Sequence, residues 1–381
     1  METARKASRR ELLCHQQPLK WAPVRVLRVT RTRRLTTNTN TSTSQKAYRS
    51  LLQRLKRAGF DGEFVRAALL PDWWDDACAD DASIIRDIEI RVARFLKAPL
   101  STVADSTAPL ALPNYAEAKL RRVREIDRDR LAPAIHVAIQ VAAAVVRNMK
   151  FREPPTQSRL PENALRWRSA IAPRGGAPRL EDLAAALWEY GIPVVALEHL
   201  PAPAFQGMAC VVDGRPVILL GYKHDEPGRV AFVVAHEAGH IAAGDCGPGE
   251  PIVDEEDEIT DDAEIEVRAD EYATKVLVGE MNVPGVTVDA KDFKVLAQRA
   301  FALEKERGVD ASSVIFAWAR RTGDYMTGSM AVKALYRHVG ARKELQRQFK
   351  LHVDVDAASE TDRALLWLCA GGWPTSSASA R

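Results

Sequence analysis

Val233-Val234-Ala235-His236-Glu237-Ala238-Gly239-His240-Ile241 is the stretch on which the reading of this chain turns. It lies inside Arg229 to Ala243, whose apolar spacing predicts a helix. On a helix His236 and His240 lie one turn apart, about 6 Å along the axis and on one face, so two imidazoles can grip one metal ion. Glu237 sits about a quarter-turn away, placed to reach a water molecule rather than the metal itself. A zinc ion makes water acidic enough to lose a proton near neutral pH. A carboxylate in this position can take that proton and return it to a leaving amine, which is the chemistry of peptide hydrolysis. The flanking positions are uncharged and small or apolar, as a buried active-site helix requires. That context separates the motif from two histidines decorating an ordinary helix surface.

A catalytic zinc of this kind needs a third protein ligand and leaves its fourth position to water. One known arrangement takes the third ligand from a His six residues after the second, with a Gly midway. Those positions are Cys246 and Ala243, so that arrangement is not met. The other source is a Glu on a later helix, predicted over about 261–278. In Glu266-Val267-Arg268-Ala269-Asp270 the two acids share a face, and Ala269 is small enough to let this helix approach the first. Glu266 would bind the metal, and Asp270 would accept a hydrogen bond from a liganding imidazole and fix its tautomer. Asp254, Glu255, Glu256, Asp257, Glu258, Asp261, Asp262 and Glu264 crowd the same stretch, and any of them could serve instead.

With these residues in place, the span from about Leu180 to Leu277 resembles the ImmA/IrrE family of metallo-endopeptidases. It shares the order of strands, then Phe232 to His240, then Glu266-Val267-Arg268-Ala269-Asp270-Glu271-Tyr272-Ala273. The resemblance covers roughly a quarter of the chain. It implies a zincin-like metallopeptidase core, one Zn2+ per chain on His236, His240 and Glu266, and Glu237 as general base and acid. It also implies a role: cleaving a protein regulator, a repressor of the helix-turn-helix type, in stress response or mobile-element control. The family often continues the second helix with Leu-Leu-Met-Pro, whereas Val276-Leu277-Val278-Gly279-Glu280 follows here, with Gly279 read as a helix end.

Outward from the motif, Ile192–Leu197, Met208–Val212 and Pro216–Leu220 read as strands, the last two joined by a two-residue hairpin at Asp213-Gly214. The expectation is an α+β fold with a small antiparallel sheet, whose exposed edge would take an extended substrate as an added strand. Helical N- and C-terminal regions flank it. Five segments are expected: a basic tail over 1–44, a helical module over 45–112, a helical connector over 113–178, the metallopeptidase domain over 179–285 and a helical region over 286–381. Within the module, helices are predicted from near Gln45 to Gly59, over Glu63–Leu70 and over Ala82–Leu96. Residues 114–150 read as one or two long helices divided near Pro133.

Composition narrows the class. Apolar residues make up 46% and charged residues 28%, the balance of a globular protein. The uncharged apolar stretch Val137–Val146 is shorter than the ~20 residues that cross a bilayer, so no membrane partner is expected. The basic start lacks an apolar core, and five scattered cysteines form no CxxC pair. Both point to a reducing cytoplasm. Residues 1–44 carry a local charge of +8 and the remainder −5, so the basicity sits in the tail. That tail reads as a disordered extension or as upstream sequence translated from an early start.

The 45–112 module loosely resembles a helix-turn-helix domain. Its charge is nearly balanced, and Asp72-Trp73-Trp74-Asp75-Asp76 would repel phosphate, so protein contact is favoured over DNA contact. Cys246 reads as a loop cysteine. A second reading of the whole chain is a non-catalytic regulatory binding protein with a structural or vestigial zinc site. Glu237 speaks against it, because a purely structural site has no use for that carboxylate.

Overall fold

The structure, a computed structural model, describes residues 42–113, 119–121, 125–151, 159–173, 176–221, 224–247, 251–254, 263–279, 292–336 and 340–370. The basic tail, and most of the acidic stretch between the two motif helices, lie outside the described residues. From Ser42 onward the chain forms one compact unit.

Ser42 caps the first helix by accepting a hydrogen bond from the Gln45 backbone, so α1 (Thr43–Arg57) starts two residues before the predicted onset. Asp61 caps α2 (Gly62–Phe64), which runs into a π-helical turn at Val65–Leu69 before Pro71 ends it. The Asp-rich segment folds as a 3-10 turn at Asp76–Asp80, followed by α3 (Ala82–Leu96) and α4 (Leu100–Ala104). Next come β1 (Lys119–Arg121), α5 (Glu125–Arg147), α6 (Ala164–Ile171) and α7 (Leu180–Glu189). The centre holds β2 (Val194–Ala196), β3 (Gly207–Val212), β4 (Arg215–Leu220), α8 (Pro227–Ala243), β5 (Ile252–Asp254) and α9 (Ala263–Val278). Five more helices follow: α10 (Phe293–Arg307), α11 (Ala311–Thr322), α12 (Tyr325–Leu335), α13 (Ala341–His352) and α14 (Glu360–Ala370).

The fold is α+β, with two departures from the expected sheet. It has five strands in the order β1-β5-β3-β4-β2, and it is mixed rather than antiparallel. The Asp213-Gly214 hairpin forms as read, with φ of 50° and 75° at its two central residues. The segment between β2 and β3 is long enough to skip a position, so β4 inserts between them. The chain also reverses direction between β2 and β3, so β4, antiparallel to β3, is parallel to β2. The far edge of β3 is paired with β5, and β5 with β1. The β3 side of the expected sheet is therefore filled by the chain itself, and β2 is left as the edge on the other side.

Residues 114–150 are also not simply helical. Part of the span is β1, and α5 runs through Pro133 without dividing. A proline inside a helix costs about 3 kcal/mol. Burial of Leu131, Ile135, Val141 and Val145, at about 1.5–3 kcal/mol each, outweighs that. Gly59, at φ +94°, makes room for the ring, since a Cβ there would lie 2.3 Å from Pro133 Cγ.

Both faces of the sheet are covered, which explains the unbroken apolar run of β4. Val217 and Leu219 face a core built from α1, α3, α5 and α14, whereas Ile218 and Leu220 face one built from α7 to α12. The stretch Arg130–Arg147 is long and apolar enough to cross a membrane, a longer window than Val137–Val146, and 61% of it is buried inside the protein.

Candidate metal centre

Two helices build the site. Pro227 occupies the first turn of α8, and Gly244 ends it in the left-handed conformation at φ 74°. The terminal bonds run from Gly244 N to Ile241 O and from Asp245 N to His240 O, which folds Asp245 back over the last turn. α9 crosses α8 where both are small. A Cβ on Gly239 would lie 3.3 Å from Ala269 Cα and 3.2 Å from Tyr272 Cβ. This close crossing is what carries Glu266 to the histidines. Gly279, at φ +85°, ends α9 as the sequence suggested, and Arg168 donates to the terminal carbonyls of Val276 and Leu277.

At the crossing, His236 Nε2 lies 3.1 Å from His240 Nε2 and 3.3 Å from Glu266 Oε2, and His240 Nε2 lies 3.5 Å from Glu266 Oε1. Four tetrahedral bonds of about 2.0–2.1 Å would set ligand atoms about 3.3 Å apart, so the three donors fit a zinc-sized ion. Each imidazole turns its other nitrogen to a carboxylate. His236 Nδ1 is 2.9 Å from Asp270 Oδ1, and His240 Nδ1 is 3.2 Å from Asp245 Oδ2. An ionised carboxylate only accepts, so both Nδ1 atoms donate, and neutral rings then direct their Nε2 lone pairs at each other and at Glu266. Three electron-rich groups packed so closely repel one another unless a cation lies between them. The buried group His236, His240 and Glu266 can hold a metal ion.

The carboxylates behind the histidines are themselves held. Arg320 of α11 donates to Asp270 at 2.7 Å, and Arg268 donates to Asp245 at 2.7 Å. Burial works to raise the Asp270 carboxyl, but His236 and Arg320 overcome it and hold the group well below the usual carboxylate range. Asp245 is lowered in the same way, with burial opposed by His240 and Arg268. Both acids therefore stay ionised and keep the two rings in the metal-binding tautomer.

Four of the five residues expected from the sequence converge here, His236, His240, Glu266 and Asp270, and Glu237 is buried on the same helix with its carboxylate beside Gly207 of β3. Glu264 is exposed, and residues 255–262 are outside the described set. Cys246 follows Asp245 on the loop and is not among the convergent donors. The sequence reading missed Asp245, Arg268 and Arg320. For Asp245 a signal existed, because a glycine that ends a helix returns the next residue toward the last turn.

Glu237 and His240 are fully buried, and His236 and Glu266 are 3% exposed. The Glu237 carboxylate lies against the start of β3, where Gly207 leaves room for it. A Cβ at 207 would be 2.1 Å from Glu237 Oε1. Cys210, on the same strand, is pushed up to about 12 by burial and by the Glu237 charge, so it remains a neutral thiol. No protein-family model, curated protein or solved structure gave a match to this chain.

Proposed function

We propose that the protein is a zinc-dependent endopeptidase with a zincin-like core, acting in the cytoplasm on a protein regulator such as a helix-turn-helix repressor. The observation that carries this reading is the convergence of His236, His240 and Glu266, with Glu237 buried on the same helix next to His236 in sequence. His236, His240 and Glu266 would hold one zinc per chain. When bound, zinc would acidify water and polarise the scissile carbonyl. Glu237 takes the proton from the attacking water and delivers it to the leaving amine. Asp270 and Asp245 orient the rings, and the dry surroundings strengthen each electrostatic contact. The substrate class comes from the resemblance to the ImmA/IrrE family. In the N-terminal module Arg91 is already paired with Asp87 and Glu360 of the same chain, which weakens its availability to phosphate.

A second reading, a binding protein with a structural zinc, draws on the burial of Glu237 and of all three ligands, since a working peptidase must open to substrate. Glu237→Gln separates the two. On the peptidase reading the variant keeps its zinc and loses turnover by about 10²–10⁴-fold, measured as cleavage of a peptide library or of a co-expressed repressor. Full zinc with undiminished cellular response in that variant would exclude catalysis.

A further inference from the structure

A cavity of about 240 Å³ lies between the start of α8, α11 and α12. Its walls include Ile315, Phe316 and Val332, Arg229 contributes a guanidinium and Glu226 a carboxylate, and Tyr325 and Met326 also line it. Arg229 is 9% exposed and lies 5.2 Å from the centre of the Tyr325 ring. Arg229, Phe232, His236 and His240 follow one another at helical spacing along one stripe of α8. The cavity thus opens on the same helix face as the metal ligands, and Arg229 precedes His236 by about 10 Å along the axis.

Between cavity and metal stands Phe232. Its ring is 6.2 Å from that of His236 and 5.4 Å from Phe316, and Arg320 lies 4.2 Å above it. The exposed side chains around this end are apolar as well: Met326 is 75% exposed, Met330 44% and Tyr325 38%. Methionines present a surface that adapts to varied apolar partners.

We propose that this cavity is a specificity subsite, which takes a large apolar side chain of the polypeptide substrate and thereby directs the chain along the α8 stripe toward the metal. An extended chain advances about 3.3 Å per residue, so the recognised residue lies about three positions from the bond that is cut. Glu226 and Arg229 both line the cavity and offset each other's charge, so its apolar walls Ile315, Phe316, Ala319 and Val332 set its preference, for Leu, Met or Phe. This inference rests on the peptidase reading.

The test is a positional library of internally quenched peptides cut by the full-length, zinc-loaded protein. Wild type is expected to favour Leu, Met or Phe over Ala or Lys by about tenfold or more at one position near three residues from the cut. Ser329→Phe, which projects a ring into the cavity from the partly exposed α12 and removes the Ser329 hydroxyl that donates to Glu226, should abolish that preference and leave zinc content unchanged. Met326→Ala, at an exposed position, should weaken the preference severalfold, and it decides the matter if Ser329→Phe does not fold. A wild type that cuts with no apolar preference, or a preference unchanged in the folded variants, would overturn the subsite and leave the peptidase standing. A wild type with full zinc that cuts no peptide would overturn both.

Discussion

Asp245 follows α8 and bends back onto it, so that its Oδ2 lies 3.2 Å from Nδ1 of His240. It does for His240 what Asp270, from a different helix, does for His236 at 2.9 Å. Each of the two imidazoles is thus fixed by an acid, and each acid by an arginine.

Asp245 is accordingly predicted to support the metal without touching it. Asp245→Asn should weaken zinc binding by about 10–100-fold, the usual effect of removing a partner of a liganding imidazole. Chelator competition measures this, and Asp270→Asn should behave alike. Wild-type affinity in Asp245→Asn would remove Asp245 from the site.

Ligand identity is tested by a pair of neighbours. Glu266→Gln should lose zinc in elemental analysis, because the buried Glu266 carboxylate faces both imidazoles. Glu264→Gln should retain it, since Glu264 is exposed on α9, about 200° round the helix from Glu266. The opposite result would reassign the third ligand.

Gly207 is predicted to matter through Glu237. In Gly207→Ala the added methyl would collide with Glu237 Oε1 and with Val233 Cγ1, at 2.1 and 2.8 Å. The carboxylate must then move. Turnover should fall by about tenfold or more, as expected when a catalytic group is displaced by roughly 1 Å, while zinc content stays near one per chain. Unchanged turnover would show that the Glu237 position is not critical.

Acid stability should depend on His136. Burial lowers its pKa to about 4, against a contrary hydrogen bond with the Phe95 carbonyl at 2.7 Å. Above about 6.5 the ring is neutral in folded and unfolded chains alike, and its contribution is fully present. As pH falls toward 4 the unfolded chain gains a proton that the folded one resists, and stability is lost. Between pH 7 and pH 5 this amounts to about 2 kcal/mol. Urea unfolding at both pH values should show that loss in wild type, reduced by a similar amount in His136→Gln. Equal losses in the two proteins would assign the acid sensitivity elsewhere.

Features that depend on short spacing were legible along the chain. A helix fixes the geometry of residues four apart, so the pairing of His236 with His240, and of Glu266 with Asp270, was legible from spacing alone. The Asp213-Gly214 hairpin was legible for the same reason, because its two φ > 0 positions are a local demand. Features that join distant segments emerged only from the packing of the folded chain. β1 and β5 are three residues each, too short to show a period, and they exist because β3 offers an edge to β5 and β5 one to β1. The parallel pairing of β2 follows from where β4 inserts, which neither strand encodes alone. Pro133 fails to break α5 because Gly59, far away in sequence, leaves space for its ring. Arg320 reaches Asp270 from fifty residues downstream, and no spacing rule connects them. Local conformation is set by neighbouring residues along the chain, whereas these contacts are set by which apolar faces must be buried together.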